Sequence, residues 1–148
     1  MRLTKNFTLA EFEISGTAER RGLDNNVPPL HMENVKELAK VMQKIRDFLG
    51  VPVVITSGYR SAEVNRLVGS SPTSHHRYAA AADWIAPGFG TPLECAKAIA
   101  PHQKLWGITQ LIHEFNGWTH IGILPVKPIN AVLTIDRHGT RVGLHPAR

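Results

Sequence analysis

The stretch SHHRYAAAADWIA, residues 74–86, is the part of the chain from which the fold is best deduced. After Ser74 it has two adjacent histidines, then runs through four alanines and ends on an apolar segment that contains Asp83. The segment AAADWIA, residues 80–86, predicts a core strand. A carboxylate in such a run is costly to bury without a partner, so Asp83 also predicts a nearby cation.

Further core elements are predicted upstream of this strand. Apolar residues from Val35 to Leu49 recur at helical spacing and predict a long core helix that ends at Gly50. VPVVIT, residues 51–56, is short, β-branched and bounded by turn formers, which predicts a buried strand. Ser61 then favours the start of a helix that runs to about residue 68.

Two capping boxes predict the starts of shorter helices. Thr8 and Glu11 form the first, and phenylalanines on either side of it are placed to form a hydrophobic staple. Thr91 and Glu94 form the second, with proline at the first helical position, and its helix runs to about residue 100.

The last third of the chain is rich in β-branched and aromatic residues. Turn residues at Asn116-Gly117 and His138-Gly139 divide it, which predicts two or three antiparallel strands. There are no internal repeats or linkers. The predicted fold class is α+β, a small mixed or antiparallel sheet with helices packed on it, in a single domain over residues 1–148.

Composition limits the classes of function. The 148 residues are 43% hydrophobic and 20% charged, and no segment reaches the roughly 18 apolar residues of a membrane span. The first residues are too polar for a signal peptide, and the lone Cys95 predicts a buried thiol rather than a disulfide. The net charge of +5 suits either an anionic envelope polymer or a positive surface that serves solubility alone, whereas no nucleic-acid-binding signature is present.

Histidines and an aspartate form the candidate metal site. His76, with His75 as its rival, precedes Asp83 across a turn of small residues, and His120 offers a third ligand on another predicted strand. Two nitrogens and one carboxylate leave a fourth position open, which is typical of catalytic rather than structural zinc.

The pattern Ser-x-His-x-x-(small)-x-Ala-x-Asp over residues 74–83, followed by Trp-x-His at 118–120, resembles the peptidase M15 family. This family contains zinc D-Ala-D-Ala carboxypeptidases and L-alanyl-D-glutamate endopeptidases, and the chain is most similar to its short, phage-type branch. Further matches lie at residues 57–61, 63–65, 69–74, 111–115 and 132–136. The resemblance covers about residues 3 to 144 and implies a Hedgehog/DD-peptidase-like fold.

The resemblance implies that His76, Asp83 and His120 bind Zn²⁺, because only His76 has the motif spacing. It also implies that Glu114 is the general base, which deprotonates the attacking water and passes the proton to the leaving amine. Other branches place this acid three residues before the last histidine. Here Glu114 precedes His120 by six residues, similar to the Glu-Phe-x-x-Trp-x-His arrangement of the short branch. A tight turn at Asn116-Gly117 could bring Glu114 and His120 together. His113 would point to the opposite face.

Two further residues are carried over from the resemblance. Arg60, in the segment Ser-Gly-Tyr-Arg-Ser, would steady the substrate carbonyl or carboxylate and the developing oxyanion. Ser74 would bind substrate or orient the site. Ala79 occupies a position where the family usually has glycine, and a positive φ there would strain alanine by about 1 kcal/mol or more.

The expected function is therefore that of a monomeric zinc peptidase that cuts peptidoglycan stem peptides, serving a phage or prophage in lysis or penetration. Made without a signal peptide, it would reach the wall through a holin pore or inside a virion. The alternative is a wall-binding or virion structural protein that retains the fold without turnover. The sequence leaves open whether the cleaved bond is D-Ala-D-Ala or L-Ala-D-Glu.

Overall fold

The computed structural model describes residues 1–125 and 127–148. Helices and strands both contribute to the fold, as predicted for an α+β protein. The α-helices are α1 Leu9–Glu13, α2 Gly16–Arg21, α3 Met32–Leu49, α4 Ala62–Leu67, α5 Pro92–Ile99 and α6 Gln103–Trp106. The strands are β1 Val54–Ser57, β2 Ala81–Ile85, β3 Gln110–Glu114, β4 Trp118–Gly122, β5 Ala131–Asp136 and β6 Gly139–Val142.

Helix α3 forms where the apolar stripe predicts it. Met42 and Ile45 are fully buried on that stripe, and Gly50 ends the helix in the left-handed conformation with φ 70°. These side chains share one core cluster with Trp84 of β2 and Ile121 of β4. The burial of one helix face against the sheet therefore holds the two layers together.

The predicted starts of the shorter helices are confirmed. Both capping boxes are present, Thr8 with Glu11 at α1 and Thr91 with Glu94 at α5. The predicted staple is also formed, since the two phenylalanine rings lie 6.0 Å apart and are both buried. Helices α2 and α6 lie outside the predicted elements, and each is shorter than two full turns of helix.

The six strands form one mixed sheet in the order β1-β2-β4-β3-β5-β6. The prediction of two or three antiparallel strands after residue 106 is wrong in number and in one orientation, because there are four strands and β3 pairs with β5 in parallel. Both edges of β4 are already paired, one with β2 and the other with β3. Strand β5 pairs instead with the free edge of β3. Because the chain reverses between β3 and β4 and again before β5, β3 and β5 run parallel.

Cys95 is buried in α5, as predicted, with its thiol near the carbonyl oxygen of Ala86. In the two described ranges, 1–125 and 127–148, no helix has the length and apolar character needed to cross a bilayer.

Candidate metal centre

Asp83 and His120 lie opposite each other at the middle of the sheet. They are register partners on the antiparallel strands β2 and β4, so their side chains share one face. The Oδ1 atom of Asp83 is 2.9 Å from Nδ1 of His120, and both residues are buried. Strand pairing alone therefore places a carboxylate and an imidazole within reach of one ion.

His76 reaches the same point from the 3₁₀ segment His75–Tyr78, which precedes β2. The hydroxyl of Ser74 accepts a hydrogen bond from the His76 backbone N–H at 3.3 Å and caps the segment. The Nε2 atom of His76 is 3.2 Å from Asp83 Oδ1. The three possible ligand atoms all lie within 4.8 Å of one another. The structure thus brings together the three residues that the sequence singles out.

The hydrogen bonds behind the two imidazoles determine which nitrogens face the cluster. Nδ1 of His76 lies 2.7 Å from the carbonyl oxygen of Gly58, which can only accept, so this nitrogen carries the proton. Nε2 of His120 donates in the same way to Oε1 of Gln110 at 3.0 Å. In the neutral form each ring therefore turns an unshared electron pair towards Asp83.

Three electron-rich atoms converge with no proton between them, an arrangement that a cation would stabilise. Ligands about 2.0 to 2.1 Å from a tetrahedral zinc lie roughly 3.3 Å apart, close to the observed separations of 2.9 and 3.2 Å. Two imidazole nitrogens and one carboxylate oxygen are a donor set that zinc prefers. These residues fit a zinc ion with an open coordination position.

Asp83 is held in its ionised form. Burial raises the pKa of its carboxyl, but without a metal the positive charge of His76 and His120, and the hydrogen bonds these rings then donate, lower it more strongly, so the pKa lies well below its ordinary value. A bound cation would replace these protons. Arg60 adds a weak ion pair, with its guanidinium 3.5 Å from Oδ2. Asp83 is therefore a carboxylate, the form that binds metal.

Arg60 and Ser74 lie beside the cluster, but they do different things in this structure. The guanidinium of Arg60 is held by the hydroxyls of Ser57 and Ser70, at 3.3 and 3.0 Å, as well as by Asp83. Its side chain is 16% exposed and so remains accessible to a ligand. Ser74 lines the adjoining cleft while its hydroxyl also caps the His76 segment.

Glu114 lies at the end of β3 on the same sheet face as His120. Its Oε1 is 4.0 Å from His120 Nδ1, and its Oε2 accepts a hydrogen bond from the Trp118 indole N–H at 3.0 Å. Burial raises the pKa of Glu114, and the nearby His120 only partly offsets this. A raised pKa makes a carboxylate in this place a better acceptor for a proton from nearby water.

The turn that returns Glu114 towards His120 lies one residue earlier than predicted. Phe115 and Asn116 adopt φ of 57° and 56°, and the Gly117 N–H donates to the Glu114 carbonyl at 2.9 Å. Two non-glycine residues in the left-handed region are uncommon and costly outside turns of this type. The adjacent His113 points to the opposite face, where its Nδ1 donates to the His145 carbonyl at 2.9 Å.

His75, the rival of His76, does not join the cluster. It is 3% exposed, and neither ring nitrogen has a partner among the described residues. Burial, reinforced by the neighbouring His120 and His76, lowers its pKa to about 4. His75 is thus a neutral imidazole with unused hydrogen-bonding capacity.

Gln110 is a residue beside the cluster that the sequence did not single out. It fixes the orientation of His120 from β3, where it is the register partner of Gly122. A Cβ atom on Gly122 would lie 2.7 Å from Gln110 Oε1 and closer still to the His75 ring. The glycine in the segment HIG, residues 120–122, was the available signal, because it marks a close approach of side chains.

Ala79 adopts the left-handed conformation, which strains alanine more than glycine. Its φ is 58° and its N–H ends the 3₁₀ segment by donating to the carbonyls of His75 and His76. The residue is fully buried, and the His76 ring presented by this turn lies 3.2 Å from Asp83 Oδ1 with alanine in place.

The family model described as Peptidase M15 matches residues 5–122, four fifths of the chain and a span that includes His76, Asp83, Glu114 and His120. The chain belongs to the peptidase M15 family. No curated protein matches the chain.

Proposed function

We propose that this member of the M15 peptidase family is a zinc-dependent hydrolase that cuts stem peptides of bacterial peptidoglycan. The observation that carries the proposal is the convergence of His76 Nε2, Asp83 Oδ1 and His120 Nδ1, each presented as an acceptor. Such an arrangement of three ligands with an open position favours catalysis over a closed structural site.

In the proposed reaction, the metal ion and the side chains of the protein have separate roles. A bound Zn²⁺ would polarise the substrate carbonyl and make water more acidic. His76, Asp83 and His120 would hold it, and the carbonyl of Gly58 and the amide of Gln110 keep the two imidazoles in the required tautomers.

Glu114 would act as general base and then as general acid. Its carboxylate lies next to the cluster, takes the proton from the attacking water and returns it to the amine of the leaving group. The Trp118 indole holds one oxygen of Glu114, so the other remains directed towards the cluster.

Arg60 would bind the oxygen on which negative charge develops. Its guanidinium is already held by Asp83 and two serine hydroxyls, so it needs little reorganisation as the reaction proceeds. Ser74 would contact the substrate from the adjoining cleft. The spacing of Glu114, Trp118 and His120 resembles the short, phage-type branch, which supports a role in lysis or penetration of the host wall.

Metal analysis tests the centre itself. We expect one Zn²⁺ per chain in purified protein, removable by a chelator and absent from His76→Ala. A folded protein that contains no zinc and binds none on dialysis against zinc would contradict the proposal.

Mass spectrometry of purified peptidoglycan after digestion tests the reaction. New amine termini should appear with the wild-type protein and identify the bond that is cut. Glu114→Ala should retain zinc and lose at least about 100-fold in kcat, whereas Glu33→Ala, at an exposed position on α3, should not. A wild-type protein that binds zinc and peptidoglycan without cleavage would instead be a wall-binding protein.

A further inference from the structure

The turn that follows Glu114 has a conformation that its residues do not favour by themselves. Phe115 and Asn116 are both in the left-handed region, and Phe115 lacks the short polar side chain that could stabilise it there. Such a backbone persists where contacts from outside the turn fix it. The Phe115 N–H makes one such contact, a hydrogen bond of 2.9 Å to the Ile135 carbonyl. One side of the turn is therefore attached to β5.

Asn116 makes the second contact, through its side chain. Its Oδ1 accepts a hydrogen bond of 3.0 Å from the Ala147 N–H, which lies 31 residues further along the chain. Because Asn116 is exposed, this bond adds little to the stability of the whole protein. It can still fix the position of the turn, provided that the donor itself is held rigidly.

The donor is held rigidly, because the residues on either side of Ala147 are anchored to the sheet. Their backbone groups bond to side chains of β3, β5 and β6 at 2.6 to 2.9 Å: His145 to Thr134 and His113, Pro146 to Arg141, and Arg148 to Asp136. Two of these side chains, Thr134 and His113, are completely buried. The Ala147 N–H is thus a fixed point to which the turn is attached.

The position of the turn decides where the Glu114 carboxylate lies. One oxygen of Glu114 accepts the hydrogen bond from the Trp118 indole, and the turn joins these two residues. The Phe115 ring packs against the Trp118 indole, with centroids 5.8 Å apart, so the turn carries both groups together. A displacement of about 1 Å in a group that takes part in a reaction can slow it about 100-fold.

We infer that Asn116 and Ala147 are positioning residues, which hold the turn so that Glu114 is directed towards the candidate metal centre. The effect on catalysis rests on the proposed function, in which Glu114 is the general base. Loss of the bond between Asn116 and Ala147 should slow proton transfer and leave zinc binding and substrate binding intact. The connection from Ala147 to Trp118 can be measured without any catalysis.

Substitutions on both sides of the bond test the inference. Asn116→Gly removes the acceptor but tolerates the left-handed region, whereas Asn116→Asp retains the acceptor as well. Ala147→Pro removes the donor N–H. Asn130→Gly is the matched control, because Asn130 also has a positive φ, of 58°, but precedes β5 at the end of the β3–β5 pair that lies away from Glu114.

The first measurement does not depend on activity. The Trp118 indole N–H gives one of three tryptophan indole signals in a ¹⁵N NMR spectrum, and Glu114→Ala marks its position without the hydrogen bond. Asn116→Gly and Ala147→Pro should each move the signal at least about half way towards that position. The double variant should move it no further than either single variant, since both remove the same bond. Asn116→Asp and Asn130→Gly should leave the signal in place.

The second measurement is the steady-state kinetics of the zinc-loaded protein. Asn116→Gly and Ala147→Pro should each lower kcat about tenfold, with KM and bound zinc unchanged, and the conservative Asn116→Asp should retain most of the kcat. An indole signal that stays in place in Ala147→Pro would overturn the inference, and so would a moved signal with an unaltered kcat. If the wild type proves inactive, a moved signal in both variants would still support the connection to Glu114, and only the proposed function would fail.

Discussion

At the scale of single residues, Ala79 shows how the candidate metal centre tolerates local strain. Its left-handed conformation costs alanine about 1 to 2 kcal/mol relative to glycine. The methyl group is fully buried, however, and burial of one such group contributes about 0.8 kcal/mol. The two effects nearly cancel, so the departure from the family glycine does little harm to the turn that presents His76.

We therefore expect Ala79→Gly to change the free energy of unfolding by less than about 1 kcal/mol and to leave zinc affinity intact. Ala82→Gly is the matched control, because Ala82 is equally buried but lies in an extended strand with no strain to release. It should cost about 1 to 2 kcal/mol. Denaturant unfolding of both variants measures the difference, and equal losses would show that Ala79 is not strained.

Gln110 would affect a bound metal indirectly, through His120. Without its amide oxygen, the His120 ring loses the hydrogen bond that keeps Nδ1 free for the ion. We expect Gln110→Ala to weaken zinc affinity about 10-fold to 100-fold in a competition assay with a chromogenic chelator. Gln43→Ala removes a half-buried glutamine of α3 that bonds Thr4, Asn6 and Asp47, and it should leave the affinity unchanged. An unaltered affinity in Gln110→Ala would mean that the ring is held by its packing alone.

The candidate ligands could be predicted from the sequence, whereas the residues that orient them could not. His76, Asp83 and His120 stand at motif positions, and a run of small residues next to a lone carboxylate has a direct physical meaning. Gln110 contacts His120 only because β3 and β4 pair in one particular register. That register depends on contacts across the whole sheet, which local sequence does not encode.

At the scale of elements, hydrogen bonds from residues 145–148 hold the turn that follows Glu114 and the neighbouring ends of β3 and β5. Asn116 in that turn accepts a hydrogen bond from the Ala147 N–H at 3.0 Å, and His113 on β3 donates to the His145 carbonyl. Asp136 at the end of β5 accepts from the Arg148 N–H at 2.9 Å. The last residues thus tie β3 and β5 together behind the metal face.

The carboxylate of Asp136 makes this attachment sensitive to acid. Its hydrogen bond from Arg148 is the main cause that lowers its pKa to about 2, from an ordinary value of 3.8. Because the folded-state value is the lower one, the contribution to stability is complete above about pH 4 and is lost as the pH falls towards 2. The free energy of unfolding should fall more steeply over this interval in the wild type than in Asp136→Asn. Parallel curves would refute this role.

The elements themselves were predictable to different degrees. Helix α3 and the capped starts of α1 and α5 follow from local periodicity and side-chain chemistry, so they lie where the sequence places them. The parallel pairing of β3 with β5 was missed, because it arises from which strand edges are already occupied rather than from the strands' own residues.

At the scale of the whole molecule, the candidate centre joins parts of the chain that are distant in sequence. His76 and Asp83 come from the 3₁₀ segment and β2, and His120 comes from β4, 37 residues after Asp83. A ligand that binds all three favours the folded state, since the unfolded chain cannot hold them together. The metal would therefore stabilise the fold as well as supply chemistry.

Removal of the metal should accordingly lower the melting temperature. Free zinc at 1,000 times its Kd contributes about 4 kcal/mol, which corresponds to a shift of about 10 °C for a chain of this size. Differential scanning calorimetry with and without chelator measures the shift. His76→Ala should melt at the same temperature in both conditions, and a chelator-insensitive wild type would contradict the assignment of the ligands.

The pairing of β2 with β4 has a consequence for the order of events during synthesis. A nascent chain that has not yet exposed residue 120 outside the ribosome carries two of the three donors, and two donors hold zinc weakly. Capture of a metal at this candidate site would thereby wait until the later strands have docked, and a half-made chain would hold the ion only weakly. Equilibrium dialysis of a stalled fragment ending at residue 106 should accordingly show far weaker zinc retention than the full chain.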